Sequence, residues 1–261
     1  MWCEVFVRLF LAHAVGDFMC QTDGFCRKKQ ANGICGFHVY LHSLVIFFLS
    51  WIALWNFSCW WIALIIGLVH LFIDVFKRRD NLWSFLLDQF AHLICLAIGA
   101  YIFVHEIPPV IPCYDFGVID TVCLFALVFL LNGKPANLLI RHLLRVYSVK
   151  NPIETDGANE SIRSGKLIGN LERWLIIIFM LCGQYEAIGF LVAAKSIIRY
   201  KDGDTSKTEY VLAGTLISVF IAVISGLVLV KLSTPQRWDN VAGCGILWDY
   251  LKSFATFIKI V

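Results

Sequence analysis

Four pairs of ionisable residues recur with one spacing in the first 92 residues of the chain. The two members of each pair are four positions apart, which places both side chains on the same face of a helix. Imidazole and carboxylate groups are ligands of zinc, manganese and iron, so this spacing predicts a site for a divalent cation. The pairs are His13 with Asp17, His38 with His42, His70 with Asp74, and Asp88 with His92.

The segments that carry these pairs are apolar. The chain is 59% hydrophobic, 15% aromatic and only 16% charged, a composition typical of a membrane protein. We therefore predict an all-α fold, a polytopic transmembrane helical bundle of about eight spans. The first segment holds Glu4 and Arg8 and is followed by no small-residue cleavage site, so we expect a helix there and not a signal peptide. The segments of suitable length and hydropathy are 2–19, 38–56, 59–76, 82–105, 116–132, 166–183, 185–199 and 209–232.

Lysine and arginine are distributed unevenly among the connections. Alternate connections, within 20–37, 77–81, 133–166 and 195–208, hold 16 of the 22 basic residues. Because short cytoplasmic loops are enriched in Lys and Arg, this asymmetry predicts a multi-pass protein with its N-terminus outside.

This topology predicts that all four pairs lie at one depth, near the cytoplasmic face. The pairs end the segments 2–19 and 59–76 and begin the segments 38–56 and 82–105, which run in alternating directions. We expect an N-terminal bundle over residues 1–132 whose four His/Asp-lined helices direct ligands inward. Three aspartates contribute about −3 and two divalent ions +4, which leaves room for a bound hydroxide.

The predicted cofactor is one or two divalent ions, zinc or manganese in first place. Among the ligands, we expect Asp17, Asp88 and His92 to act also in catalysis. Gln21 and Gln89 are candidate substrate contacts beside the cluster, and Arg78 either binds a substrate phosphate or anchors its helix to anionic lipid. A polar network in which these groups only satisfy one another is the alternative. The full predicted ligand set is His13, Asp17, His38, His42, His70, Asp74, Asp88 and His92.

The rest of the chain divides into three parts. Residues 133–165 combine a basic amphipathic pattern, typical of an interfacial helix, with a polar turn-rich loop. The apolar segments within residues 166–232 predict a C-terminal transmembrane bundle. For residues 233–261 we expect a tail that lies at a membrane surface. Glu172 and Lys195 lie toward the same ends of adjacent antiparallel segments, so we expect a structural ion pair, with a substrate contact as the alternative.

Several motifs together resemble one family of bacterial membrane proteins. "LAHAVGDFMCQTD", "HVYLHSLV", "HLFID" and "FLLDQFAH" cover residues 11 to 92, and "GKLIGNLERWLIIIFMLCGQYEAIGFLVAAKSIIRY" extends the likeness toward residue 230. The family they resemble is the domain-of-unknown-function family 3307. The resemblance implies a protein of the bacterial inner membrane, distantly similar to membrane-bound metal-dependent hydrolases, without an established reaction.

Three functions from different classes remain. The first is a metal-dependent hydrolase acting at the cytoplasmic face on a phosphoester or lipid-linked substrate, and the second is a transporter of metal ions or protons that uses the same residues. The third is a non-catalytic membrane partner or sensor protein. Polar residues confined to one end of the spans favour the first over the second. The net charge of +3, without a basic run, excludes a nucleic-acid partner, whereas formation of a homo-oligomer stays open.

Overall fold

A computed structural model of the chain describes residues 2–21, 37–76, 81–106, 116–147, 159–199 and 205–232. These residues are almost all helical and no β-strand occurs among them, so the prediction of an all-α fold is confirmed. The chain divides into two compact units, Met1–Leu130 and Leu131–Val261. The boundary lies two residues before the end predicted for the N-terminal bundle.

The N-terminal unit begins with α1, which continues without a break into a five-residue π-helix, Val15–Met19. A 3₁₀ turn, Phe57–Cys59, leads into the third α-helix. The α-helices of this unit are α1 (Trp2–Ala14), α2 (Phe37–Leu54), α3 (Trp60–Phe76), α4 (Leu82–Glu106) and α5 (Phe116–Leu131), the last of which ends at the unit boundary.

The C-terminal unit is built around two long helices that pack along each other, α7 and α9. Ile176, Met180 and Ala222 form the apolar contact between them. Its helices are α6 (Lys134–Val146), α7 (Asn159–Leu181), α8 (Tyr185–Arg199) and α9 (Thr205–Leu232). The predicted tail, 233–261, lies outside the described residues.

Helices α1 to α4 form a closed ring in which each helix packs against two neighbours and α4 returns to α1. Each helix contributes one apolar side chain to a central layer, and all four of these side chains are at most 2% exposed. Van der Waals contacts within this layer contribute favourable free energy to packing between the helices of the ring. The layer is formed by Leu9, Ile46, Ile66 and Leu96.

A histidine lies four positions from every member of this layer, one helical turn further along the same face. On α1 and α3 the histidine follows the apolar residue, and on α2 and α4 it precedes it. Because neighbouring helices in the ring run in opposite directions, all four histidines fall at the same end of the bundle. The position of the apolar layer therefore determines the depth in the bundle at which the four histidines lie.

Within the part of the chain that the structure describes, five helical stretches are long and apolar enough to cross a membrane. Segments 2–19, 166–183 and 185–199, which we also expected to span, fall short of that length and composition. The α-helical part of the first has 13 residues, α8 has 15, and α7 carries Lys166, Glu172 and Arg173. The number of eight spans thus stays a prediction. The five stretches are Phe37–Leu54, Phe57–Phe76, Leu82–Glu106, Ile119–Val146 and Glu209–Leu232.

A buried ion pair joins α5 to α1 within the N-terminal unit. Arg8 Nε lies 3.0 Å from Asp120 Oδ1, and the two side chains are 10% and 7% exposed. Two charges removed from water are tolerated only when they compensate each other. We did not predict this pair, although each residue interrupts an apolar segment of the sequence.

Two helices of the ring, α2 and α3, approach each other closely at Gly67 of α3. A Cβ atom at this position would lie 3.2 Å from Cβ of Phe47 and 3.4 Å from the carbonyl oxygen of Ser43 on α2. The Ser43 hydroxyl donates a hydrogen bond of 2.7 Å to the Gly67 carbonyl oxygen, which ties the two backbones together. A small residue is what permits such an approach between membrane helices.

We expect Gly67→Leu to lower the melting temperature of the purified protein, because overpacking costs about 1–3 kcal/mol where the neighbours are backbone or Cβ atoms. Gly189→Leu is the matched control, since no atom lies within 4 Å of a Cβ at that exposed helical position. Differential scanning fluorimetry in detergent measures both. Equal melting temperatures for the two variants would contradict the close packing at Gly67.

Candidate metal centre

Four imidazole rings meet at one level of the N-terminal bundle, each from a different helix and each 1–2% exposed. The ring of His70 is central: its centroid lies 4.1 Å from that of His92, 4.9 Å from that of His42 and 5.3 Å from that of His13. The centroids of His13 and His92 are 4.9 Å apart, so the four rings form one cluster. Rings this close in an apolar interior need partners for their nitrogen atoms.

One set of ligand atoms surrounds the Nε2 atoms of His42 and His70, which are 2.9 Å apart. Asp17 Oδ1 lies 3.0 Å from the first and 3.4 Å from the second. Asp74 Oδ2 lies 3.3 Å from His70 Nε2 and 3.7 Å from His42 Nε2. Ligands bound tetrahedrally to zinc at 2.0–2.1 Å lie about 3.3 Å from one another, so the atoms of Asp17, His42 and His70, at 2.9–3.4 Å, have the mutual spacing of ligands in one coordination shell.

A second set lies beside the first on α3 and α4. Ligand atoms of Asp74, Asp88 and His92 come within 4.8 Å of one another, as do those of His13, His70 and His92. The buried Nε2 of His92 makes no hydrogen bond to any residue that the structure describes, and its nearest carboxylate oxygen, Asp88 Oδ1, is 3.7 Å away. Asp74 contacts the first set and belongs to the second, so its carboxylate lies between them.

The position of Asp17 depends on the π-helix that follows α1. This segment closes with a hydrogen bond of 3.0 Å from the Cys20 N–H to the Val15 carbonyl. A Cβ at Gly16 would collide with the side chain of Ile46, so the glycine lets the segment lie against α2. Asp17 thereby reaches His42 of α2 at 3.0 Å, while its own i−4 neighbour His13 is 3.7 Å away. π-Helical turns within α-helices are frequent at functional sites.

The structure brings together seven of the eight predicted ligands, and His38 is the exception. His38 lies one turn before His42, is half-buried and takes part in none of the three groups that the described residues form. Gln21, just beyond the π-helix, is buried. Gln89 donates a hydrogen bond of 3.1 Å to Asp88 Oδ2 and so orients that carboxylate. The predicted substrate contact Arg78 lies outside the described residues.

The C-terminal unit contains the predicted ion pair, in which Lys195 of α8 donates a hydrogen bond to Glu172 of α7. Both side chains are largely buried, which makes the pair a structural link between these helices.

A polar network around Arg173 in the C-terminal unit was not predicted, although the sequence shows an arginine within an apolar segment. Its guanidinium is 1% exposed and donates to main-chain carbonyls at the start of α6 and to side chains of α6, α7 and α9. A buried arginine needs most of its five N–H groups satisfied, and this network does so. The acceptors are Asn132 O, Gly133 O, Asn137 Oδ1, Asn170 Oδ1 and Ser218 Oγ.

The fold and the cluster define an all-α protein with a buried His/Asp site and several helices that are apolar enough to span a membrane. Residues 5–110 match the model of the family described as Protein of unknown function (DUF3307). The matched segment contains all seven clustered residues, and the match supports the family that the sequence motifs predict over this part of the chain. The match does not extend to the second block of motifs beyond residue 166. No curated protein and no solved structure matches the chain.

Proposed function

We propose that this protein is a membrane-embedded, metal-dependent hydrolase of a phosphoester or lipid-linked substrate. The observation that carries the proposal is the spacing of Asp17 Oδ1, His42 Nε2 and His70 Nε2, whose separations of 2.9–3.4 Å suit donors to one ion. Three side chains from three different helical segments come to this spacing, which is more than paired hydrogen bonding requires.

Two sets of ligands favour a two-ion centre. Asp17, His42 and His70 would hold one ion, and Asp74, Asp88 and His92 the other, with His13 grouped beside His70 and His92. A pair of divalent ions lowers the pKa of a bound water and stabilises the attacking and leaving oxygens of a phosphoester. The seven side chains suit zinc or manganese, since imidazole and carboxylate are mixed in both sets.

The roles of the remaining groups follow from their contacts. Asp88 is oriented by Gln89 and lies next to His92, whose Nε2 makes no hydrogen bond to a described residue. In the proposed reaction Asp88 holds and transfers a proton, and His92 would bind an ion through Nε2. Asp17, with 12% exposure, is the most exposed of the three carboxylates in the cluster. Gln21 is positioned to contact a substrate that enters past the π-helix.

The predicted topology supports a reaction at the cytoplasmic face of the bacterial inner membrane. The cluster lies at the end of the four-helix ring from which the connections rich in lysine and arginine extend. With an outside N-terminus, that end faces the cytoplasm. A substrate would thus reach the centre from the cytoplasm or from the adjoining lipid leaflet.

The apolar layer of Leu9, Ile46, Ile66 and Leu96 favours a hydrolase over a transporter. These side chains are at most 2% exposed and lie one turn from the histidines, so an ion that crossed the bilayer would have to pass through them. An enzyme needs access to its centre from one side only. The alternative of a non-catalytic partner or sensor predicts the same cluster without turnover.

The test combines metal content with hydrolysis on one detergent-purified preparation. Inductively coupled plasma mass spectrometry should find one or two zinc or manganese ions per chain. Hydrolysis of a panel of phosphomonoesters, phosphodiesters and phospholipids should disappear after chelation and return when the same metal is restored. Stoichiometric metal without turnover of any substrate would favour the partner or sensor role, and a folded protein without metal would refute the proposal.

A further inference from the structure

Three of the four clustered histidines, His13, His70 and His92, form a group of their own within the N-terminal bundle. Each comes from a different helix and each is 1–2% exposed. One ligand atom from each lies within 4.8 Å of those of the other two. Among the groups that the described residues form, this is the one without a carboxylate, so it offers an ion three nitrogen donors and no oxygen.

The spacing of the three rings suits one bound ion. A metal bound to an imidazole nitrogen at 2.0–2.1 Å lies about 3.2 Å from the ring centroid, so two rings at an angle of about 90–110° have centroids about 4.5–5.2 Å apart. The centroid of His13 lies 5.3 Å from that of His70 and 4.9 Å from that of His92, and the last two are 4.1 Å apart. The buried Nε2 of His92 makes no hydrogen bond to any described residue, so it is available as a donor to an ion.

Two members of this group are shared with the sets that would hold the hydrolytic ions. His70 belongs also to the first set and His92 to the second, whereas His13 belongs to this group alone. A neutral imidazole has one nitrogen with a free lone pair, since the other nitrogen carries the proton. Each shared histidine can therefore bind an ion in only one place at a time. An ion held by all three histidines takes one ligand from the first set and one from the second.

The donor atoms of this group determine which ions it favours. Manganese prefers oxygen donors, whereas imidazole suits later divalent metals such as nickel and copper, which also bind nitrogen donors more tightly. The charge of such an ion would be compensated, because a carboxylate oxygen of Asp17, Asp74 or Asp88 lies 3.3–3.7 Å from the Nε2 atom of each histidine. Nickel is thus expected to favour the three histidines, and manganese the two sets that mix imidazole with carboxylate.

We propose that His13, His70 and His92 form an inhibitory site for one late divalent transition-metal ion, and that an ion bound there excludes the two ions of the hydrolytic centre. The inference rests on the proposed function and adds a regulation to it, since a metal that prefers imidazole would stop the hydrolysis. His13 distinguishes the two states of the centre, because it is a ligand only in the inhibited one.

The test counts the manganese that nickel releases. Detergent-purified protein is loaded with Mn²⁺, freed of excess metal and titrated with Ni²⁺. The electron paramagnetic resonance signal of free Mn²⁺ measures release, and mass spectrometry measures the Ni²⁺ bound. We expect about two Mn²⁺ released per bound Ni²⁺ in the wild type, because the histidine site takes a ligand from both sets. His13→Ala should halve this ratio, since nickel can then replace manganese only within one set at a time.

His38→Ala is the matched control, because His38 lies one turn from the cluster on α2 and takes part in none of its groups, so its release ratio should equal that of the wild type. His13→Gln is a second variant if His13→Ala does not fold. The manganese content before titration separates the two levels of the argument. Manganese retained, with equal release ratios in the wild type and His13→Ala, would refute the inhibitory site alone. A folded wild type that retains no divalent ion would refute the proposed function and this inference together.

Discussion

His42→Ala will remove bound metal from the N-terminal bundle. We expect the wild-type protein to retain one or two ions through purification, and the variant to lose the ion bound by the first set of ligands. Loss of a direct ligand should weaken metal affinity by at least about 100-fold, the upper end of the effect measured for groups that only orient ligands. Mass spectrometry of the metal content and titration with a fluorescent zinc indicator measure the two quantities.

The size of this effect follows from the position of the His42 side chain. Its Nε2 lies within 3.7 Å of the Nε2 of His70 and of carboxylate oxygens of both Asp17 and Asp74. Two of the three ligands of the first set would remain in the variant, and among the described residues α2 contributes no other side chain to the cluster. An alanine leaves a gap that water can fill only at the cost of ordering it in a buried site.

Two further variants make the result specific. His105→Ala removes an exposed histidine at the far end of α4, stacked on Tyr101 at 4.0 Å, and should leave metal binding unchanged. Asp88→Asn keeps the shape of the side chain and an acceptor for Gln89 but removes the charge. In a two-ion centre this variant should retain one ion, because Asp88 belongs only to the second set. Metal content equal to wild type in His42→Ala, in a folded preparation, would contradict the proposed centre.

The depth of the site along the helical bundle could be predicted from the sequence because two independent arguments agree. Spacings of four residues place each pair on one helical face, and alternating directions of consecutive helices bring the pairs to one end. Neither argument needs tertiary detail. For the same reason Leu9, Ile46, Ile66 and Leu96 lie in one layer, since each is a further step of four along the same face.

The local geometry could not be predicted in this way. The π-helix at Val15–Met19 changes the direction of Asp17, which a regular α-helical spacing would pair with His13 alone. His38 has the correct spacing to His42, yet it lies in the first turn of α2 and takes no part in the cluster. Arg8 and Asp120 are more than 100 residues apart, and a pairing over such a separation is decided by the packing of α5.

The network around Arg173 is the other result that the spacing of residues did not give. A charged residue inside an apolar segment signals a buried partner, but the sequence does not reveal that main-chain carbonyls are among its partners. Arg173 Nε lies 2.6 Å from the carbonyl oxygen of Asn132, in the turn between α5 and α6. Its Nη1 donates to Ser218 Oγ of α9 at 2.9 Å. One side chain of α7 therefore fixes a turn and a helix at once.

We expect Arg173→Met to destabilise the C-terminal unit by about 3–5 kcal/mol, because several buried acceptors lose their donor at about 1–3 kcal/mol for each group left unsatisfied. Methionine fills much of the same volume, so the loss comes from acceptors left in an apolar interior without their donor. Arg173→Lys keeps the charge, but its ammonium cannot reproduce the planar arrangement of donors, and we expect roughly half of the same loss. The Asn137 and Asn170 amides would retain their mutual hydrogen bond of 2.9 Å in both variants.

Thermal unfolding in detergent should show this loss as a melting temperature lower by about 10 °C, since each kcal/mol corresponds to about 2–4 °C in a protein of this size. Arg145→Met is the matched control: Arg145 is exposed on α6, and its replacement should change the stability by less than about 0.5 kcal/mol. A melting temperature of Arg173→Met within 2 °C of the control would mean that an apolar interior replaces the network without loss. In that case the buried arginine would specify which helices meet and would add nothing to the free energy of unfolding.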